Sequence, residues 1–308
     1  MIYTYSSNLN QFLHFVDEFY RTIDDFWKKK YGDPGIYHVL KNKLEGIKKH
    51  KITGIIIFKD KKPAGIAWIE KFTEYYGNMV LYSLMPEDRE YLASALVESG
   101  CLENSMLELI KFEDTQVYEE TFISKGLIHN YRQRMAWFSP EDFTCPKIPK
   151  DISFREIKKK DAHISGEISY KAHKISQDYI GYPDLDSIEN RVKLEKMVFN
   201  KLYGPIIKPA SLFILYKDQI VGACLMIESS CWGYKKVPWI FDIVIEPEFQ
   251  GKGFGTILLT QCLAILKDMD YPVVGLAVTI SNKSAIHIYE KYNFTLVEKF
   301  SEFAYKTT

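Results

Sequence analysis

Apolar positions recur along the chain in two rhythms, and their alternation lays out the elements. Over residues 8–31, Phe12, Phe15, Val16, Phe19, Ile23 and Phe26 fall at helical spacing after a short strand at 1–6. Gly32-Asp33-Pro34-Gly35 stops that helix, and a second is predicted over 37–50. The period then shortens to that of strands. A hairpin is expected at 54–58 and 64–72, a strand at 79–84, a helix at 89–98, a strand at 105–112, a helix at 114–125 and a strand at 127–138. Residues 139–150 hold three prolines and read as a linker. The order then repeats: strand 152–156, helix 161–176, a tyrosine-containing loop at 177–183, helix 186–202, and a hairpin at 212–216 and 220–228. A buried strand at 239–245, a glycine-rich turn, helix 256–268, strand 273–280, a helix from 281 and a closing strand at 295–306 complete it.

The halves match at turn residues as well as in element order, so they read as one repeat. Phe58-Lys59-Asp60 with Gly65 aligns with Tyr216-Lys217-Asp218 with Gly222, Pro86 with Pro247, and Phe122-x-x-x-Gly126-Leu127 with Tyr289-x-x-x-Asn293-Phe294.

The turn at Gln250-Gly251-Lys252-Gly253-Phe254-Gly255 carries the most chemistry. A strand leading through glycines into a helix aims successive backbone N–H groups, and the positive helix end, at one concavity. Glycines at 251, 253 and 255 remove the Cβ atoms that would hold a phosphate off the backbone, and Lys252 offers a point charge. The expected ligand carries a phosphate or pyrophosphate. A Walker loop does not occur in the chain. A dinucleotide fingerprint fails because Thr256 stands at its last glycine and strand 273–280 carries no acid.

Gln-x-x-Gly-x-Gly after a strand resembles the pyrophosphate loop of the GNAT acyltransferases, which bind acetyl-coenzyme A. Downstream, Asn282, Ala285 and Tyr289 share one helix face, and Asn293-Phe294 ends that helix, much as in the family's Asn-x-x-Ala-x-x-x-Tyr segment, with asparagine where glycine is usual. The chain is thus similar to a tandem GNAT protein. That implies an α/β (α+β) fold of two GNAT units, each a mixed, mostly antiparallel twisted sheet flanked by helices. The implied domains are 1–140, degenerate, a linker at 141–150, and 151–308, catalytic. The halves are unequal because Arg89-x-x-Leu92-x-Ser94 replaces the glycine loop, Glu90 stands where Gly251 does, and Phe122 replaces the tyrosine. A leucine at the close-approach position is expected to block a pyrophosphate nest, so the first half should bind no acetyl-CoA.

The resemblance implies direct transfer of an acyl group, most simply acetyl, from acetyl-CoA to a small-molecule amine or a peptide, with no acyl-enzyme. Backbone groups of Ile243, Val244 and Ile245 would hold the pantetheine arm as an added strand, residues 251–256 the pyrophosphate, and Asn282 the cofactor arm. Tyr289 would protonate the departing thiolate; otherwise it is a core tyrosine. The general base is open. Asp242, an acid inside an apolar strand, is either that base or a structural carboxylate, and strict alternation sets it opposite Phe241 and Ile243 unless a bulge intervenes. Glu228 and Glu246 are poorer candidates, and the acid that some members carry on the next strand is Ala277 here. Asp178, Tyr179 and Tyr182 are placed to line the acceptor's entry. A Fem-type aminoacyltransferase and a non-catalytic acyl-CoA sensor or scaffold are the alternatives. The intact coenzyme A loop argues against the first, whose acyl donor is a charged tRNA.

Composition narrows this further. Forty basic residues balance forty acidic ones in a chain of 308, which gives no support to nucleic-acid or membrane-surface binding and no preference for a charged acceptor. Five scattered cysteines form no Cys-x-x-Cys pair, so neither a metal nor a disulfide framework is expected, and Cys224 and Cys262 read as core. No long apolar span or leader pattern is present, which makes a cytoplasmic protein the expectation. The oligomeric state is left open.

Overall fold

The structure is a computed structural model that describes residues 2–31, 52–103, 105–111, 114–140, 143–176 and 181–305. The helix expected over 37–50 lies outside the described residues. The chain forms two compact units, Met1–Asn130 with Phe300–Thr308 and Tyr131–Lys299.

The first unit runs β1 (Tyr3–Ser6), α1 (Leu13–Tyr31), β2 (Ile52–Lys59), β3 (Lys62–Lys71), β4 (Tyr76–Ser83), α2 (Arg89–Glu98), β5 (Met106–Ile110) and α3 (Gln116–Ser124). Strands β1 to β4 pair antiparallel in chain order, and β5 joins β4 in parallel through the α2 crossover. The apolar run of β2 is continuous because both its faces are covered. Ile55 and Ile57 pack in the cluster that holds Leu92, Leu96, Tyr118 and Phe122 of α2 and α3, whereas Ile56 packs with Val16 and Phe19 of α1.

The chain continues through β6 (Ile128–Phe138), β7 (Ile152–Glu156), α4 (Ala162–Lys174), α5 (Ile188–Phe199), β8 (Leu212–Tyr216), β9 (Gln219–Cys231), β10 (Tyr234–Ile245), α6 (Phe254–Asp268), β11 (Val273–Thr279), α7 (Lys283–Lys291) and β12 (Phe294–Ala304). In the second unit β7 to β10 pair antiparallel in order and β11 joins β10 in parallel. Its main core lies under α6 and α7 and buries Cys224 and Cys262 completely. Both units therefore follow one plan: four antiparallel strands, a helical crossover to a parallel strand, then a helix.

The closing strands depart from the expected domains. Residues 132–138 of β6 pair with β11, Arg132 opposite Thr279 and Phe138 opposite Val273. Residues 302–304 of β12 pair with β5, Phe303 opposite Leu107. The last strand of each half thus completes the sheet of the other unit, so the units differ from the segments 1–140 and 151–308 at their shared ends. Alternation marks a strand but carries no label for its partner.

The hairpin match also shifts by one residue. The two turn residues at positive φ are Asp60-Lys61 and Lys217-Asp218, so Lys59 corresponds to Tyr216, while Gly65 opposite Ile57 does correspond to Gly222 opposite Ile214. Gly126 and Asn293 both end their helices at positive φ, as the repeat requires.

Phe303 is 1% exposed in the first unit's core, its ring 5.1 Å from Phe122. Phe303→Ala is expected to destabilise that unit by about 3–5 kcal/mol. Hydrogen exchange should then lose protection in α2, α3 and β5; loss in α6 instead would assign the strand to the second unit.

Candidate functional site

The glycine turn is built from β10 outward. Pro247 cannot donate to a ladder and starts a short 3-10 turn, Pro247–Phe249. Gly251 (φ +73°) and Gly253 (φ +86°) then take left-handed conformations, and a Cβ on either would meet nothing within 4 Å. Their Cβ positions therefore open onto a concavity. Gly253 caps α6, whose first-turn N–H groups have no carbonyl one turn behind them. Gln250 ties the loop to the strand, its Nε2 donating to the Ile245 carbonyl at 2.9 Å. The Lys252 ammonium, expected to face the ligand, instead donates to the Glu248 carbonyl at 2.9 Å and lies 5.2 Å over the Phe249 ring.

Beside the loop the sheet parts. The parallel ladder between β10 and β11 covers Trp239 with Gly275 and Ile240 with Leu276. At that point β10 also bulges: Ile240 faces Met226 and Asp242 faces Leu225, so Phe241 is the extra residue. Phe241 and Asp242 consequently share the α4–α5 face, the former packed with Val198 and the latter bonded to both helices. The bulge that sequence alone left open thus sets Asp242 on the face of Phe241, while Ile240 and Ile243 turn to the α6 side.

Parted strands and loop enclose one cleft of about 790 Å³. Ile243, Val244, Ile245, Gln250, Gly251, Gly253, Phe254, Gly255 and Thr256 line it from β10 and α6, and Asn282 and Tyr289 from α7; Lys252 does not. Asn282 caps α7, its Oδ1 accepting from Ala285 N at 3.2 Å. Tyr289 is 8% exposed, with its ring 5.5 Å from Phe294.

Asp242 belongs to a buried polar network. Its Oδ2 accepts from Ser169 Oγ at 2.5 Å and Arg191 Nη2 at 2.7 Å, and its Oδ1 meets His173 Nε2 at 3.0 Å. Arg191 also donates to Asp184 at 2.7 Å and Glu195 at 3.4 Å, and Ser165 donates to Glu195 at 3.2 Å. Burial alone would raise the Asp242 pKa. The His173 and Arg191 charges, with hydrogen bonds from His173 and Ser169, outweigh it and hold the carboxyl well below the usual carboxylate range. A carboxylate so filled is a poor base, which favours the structural one of the two readings of Asp242. Glu228 accepts from Tyr271 at 3.1 Å and Glu246 from Lys171 at 3.2 Å, and neither lines the cleft. Tyr182 is 8% exposed, with the Arg132 guanidinium 5.8 Å over its ring; Asp178 and Tyr179 lie outside the described residues.

His173 lines the cleft and was missed by the sequence reading. The available signal was a polar stripe at helical spacing, Ser165, Ser169 and His173 on α4, matched by Arg191 and Glu195 on α5. Among the described residues, no group of three or more His, Cys, Asp or Glu is arranged to hold a metal ion, and no helix is long and apolar enough to cross a membrane.

The corresponding stretch of the first unit differs. There α2 begins at Arg89, so positions 89–92 are helical where 250–253 form the loop. Leu92 points into the core at 0% exposure, so the nest is lost to helix rather than to leucine bulk. The β3–β4 ladder runs from Gly65 with Ser83 to Lys71 with Gly77 without a register shift. At the start of α2, the buried Asp88 accepts from Tyr3 at 2.6 Å and Lys59 at 2.9 Å.

Comparison with known proteins agrees with this geometry: residues 180–294 match the Acetyltransferase (GNAT) family. This stretch is a GNAT acetyltransferase domain. The chain is 33% identical over 88 residues to the ribosomal protein bS18-alanine N-acetyltransferase of Haemophilus influenzae, covering 29% of this chain and 56% of that protein. It is 33% identical over 60 residues to an uncharacterized N-acetyltransferase of Methanocaldococcus jannaschii, covering 20% of this chain and 26% of that protein. The matches thus span about a quarter and about half of those relatives. In fold, the chain is similar to a GCN5-related N-acetyltransferase from Sphaerobacter thermophilus, with a TM-score of 0.51, 16% identity, and coverage of 81% and 79% of the two chains.

The network behind the GNAT cleft has a stability signature. Burial, the largest influence, pushes the Glu195 carboxyl from 4.5 up to about 7. Between those values the folded state holds a proton that the unfolded state has released, so stability falls as pH rises and levels off above about 7. At about 1.4 kcal/mol for each pH unit separating the states, the loss is at most about 3 kcal/mol. Glu195→Gln should remove it: relative to wild type, urea unfolding of the second unit should gain on the order of 1–3 kcal/mol between pH 5 and pH 8. An equal difference at both pH values would mean that Glu195 ionises normally.

Proposed function

We propose that the chain is an acyl-CoA-dependent N-acyltransferase, transferring acetyl from acetyl-CoA to a primary amine by direct attack in the second unit. The observation that carries this reading is the conjunction, in one cleft, of a left-handed glycine loop at a helix start with two strands that part at a bulge. The residues fit the donor: the open Cβ positions of Gly251 and Gly253 let phosphate oxygens approach first-turn N–H groups, and the β10 edge at Ile243–Ile245 suits an extended amide-bearing arm. Acetyl-CoA would supply the activated thioester. Within the cleft, Tyr289 is the proton donor for the leaving sulfur, and Asn282 borders the arm from α7. A non-catalytic acyl-CoA sensor would use the same loop, but the titratable side chains on the cleft wall, His173, Lys283 and Tyr289, favour the enzyme. The name of the Haemophilus influenzae relative makes peptides beginning with alanine a first acceptor to try, beside small amines and aminoglycosides.

The first unit, with helix in place of the loop and an unbulged β4, is read as binding no donor. Calorimetry on the full chain should therefore give one acetyl-CoA site and a raised Tm, since a ligand that binds only the native state stabilises it. Gly253→Leu should abolish the thermal shift; a full shift in a folded variant would reject the loop assignment.

Tyr289→Phe should bind acetyl-CoA as wild type does while turnover falls about 10- to 1,000-fold, the scale of a lost general acid. Thiol release measured across the amine panel provides the check, and an unchanged rate would reduce Tyr289 to packing.

A further inference from the structure

We infer that His173 takes the acceptor's proton, with Asp242 as its positioning residue; the inference rests on the acyltransferase reading. Both carboxylate oxygens of Asp242 are engaged. One carboxylate oxygen holds Ser169 and Arg191, and the other meets His173 Nε2 at 3.0 Å. An ionised carboxylate only accepts, so Nε2 carries the hydrogen and Nδ1 keeps the basic lone pair. Arg191 is fixed in turn by Asp184 and Glu195, and all three are almost fully buried. The imidazole is thereby held in one orientation from behind.

The ring itself is not sealed in. Its side chain is 23% exposed, and it lines the same cleft as Ile243–Ile245 and Tyr289. The charged and titratable groups around it are Asp242 on β10, Arg191 and Glu195 on α5, Asp184 ahead of α5, and Lys283 and Tyr289 lining the cleft from α7. Asp184, Glu195 and Asp242 each face Arg191 with a carboxyl oxygen. Among these carboxylates and the imidazole, only the imidazole lines the cleft.

The step balances with the two side chains. A neutral amine uses its lone pair to bond the acyl carbon, and its surplus proton passes to His173 Nδ1. The electron pair of the breaking C–S bond leaves with sulfur, which takes the Tyr289 proton. His173 then loses its proton to solvent, and Tyr289 regains one there.

The test uses the full chain. Diethylpyrocarbonate acylates unprotonated imidazole, and peptide mass spectrometry locates the label without needing any acceptor. His173 should be labelled at pH 7, and saturating acetyl-CoA should slow its labelling by several-fold or more. His173→Gln keeps an amide donor toward Asp242 but no base. It should bind acetyl-CoA within about two-fold of wild type, lose about 10²- to 10⁴-fold in turnover on amines from the panel, and lose the acid limb of the pH–rate profile. In His173→Ala, added imidazole should restore part of the rate, which a packing role would not allow. Asp242→Asn should weaken that acid limb or shift it without the full loss. The inference is overturned if His173 stays unlabelled, if acetyl-CoA leaves its labelling unchanged, or if His173→Gln retains the acid limb at near wild-type rate. A wild-type chain that binds no acetyl-CoA overturns the acyltransferase reading and this inference together. Normal binding without these His173 effects overturns the inference alone.

Discussion

One extra residue in β10 governs the geometry of the second unit. With Phe241 inserted, the strand cannot continue its alternation, so Phe241 and Asp242 emerge on the same face. That turn of the pleat delivers Asp242 to α4 and α5, and it coincides with the end of the ladder to β11. The opening then lies next to the glycine loop, because only Glu246 and the 3-10 turn separate β10 from Gln250. Where the first unit lacks the bulge, β4 holds register with β3 throughout, and the helix starts directly after its 3-10 turn. The same plan without the bulge, and with positions 89–92 helical where 250–253 form the loop, leaves no glycine nest.

The polar network behind the cleft is explained better by geometry than by stability. Bringing Arg191, Asp184, Glu195 and Asp242 out of water costs desolvation energy that their attraction only offsets when every bond is well made, and packed apolar side chains would serve stability as well. Such a network does fix position. Arg191 links α5 to β10 and to the segment before α5, while Ser169 and His173 link α4 to the same carboxylate. Glu195, with burial pushing it to about 7, relieves the excess of negative charge by holding its proton near neutral pH. The wall of the cleft is therefore anchored at one carboxylate by two helices.

Much of this was legible in the sequence wherever the determining contacts are local. The helix at Arg89–Glu98 and the strands Ile152–Glu156 and Leu212–Tyr216 have the predicted bounds, because apolar period and turn residues fix them. The loop was legible because Gly251 and Gly253 serve a conformation that other residues rarely adopt, and the Asn282 cap because asparagine accepts from the N–H three residues on. What eluded the sequence depends on distant partners. A bulge is visible only against the neighbouring strand. His173 meets its carboxylate 69 residues away, and Arg191 meets it 51 residues away. Lys252 looked like a phosphate ligand by position, yet its flexible stem satisfies the ammonium on a carbonyl of its own turn. Leu92 looked like a plug, yet continuing the helix put it into the core.

The exchanged closing strands add a constraint that neither half reveals by itself. Residues 131–138, which precede the proline-rich stretch, supply the strand to which β11 is bonded. Residues 302–304 bring Phe303 into the core of the first unit and pair with β5. A cut at the proline-rich stretch would take the β11 partner from one unit and a buried aromatic and its strand from the other, exposing paired backbone groups in both. Each unit thus takes its closing strand from the other half of the chain, and neither half holds all the strands of one unit.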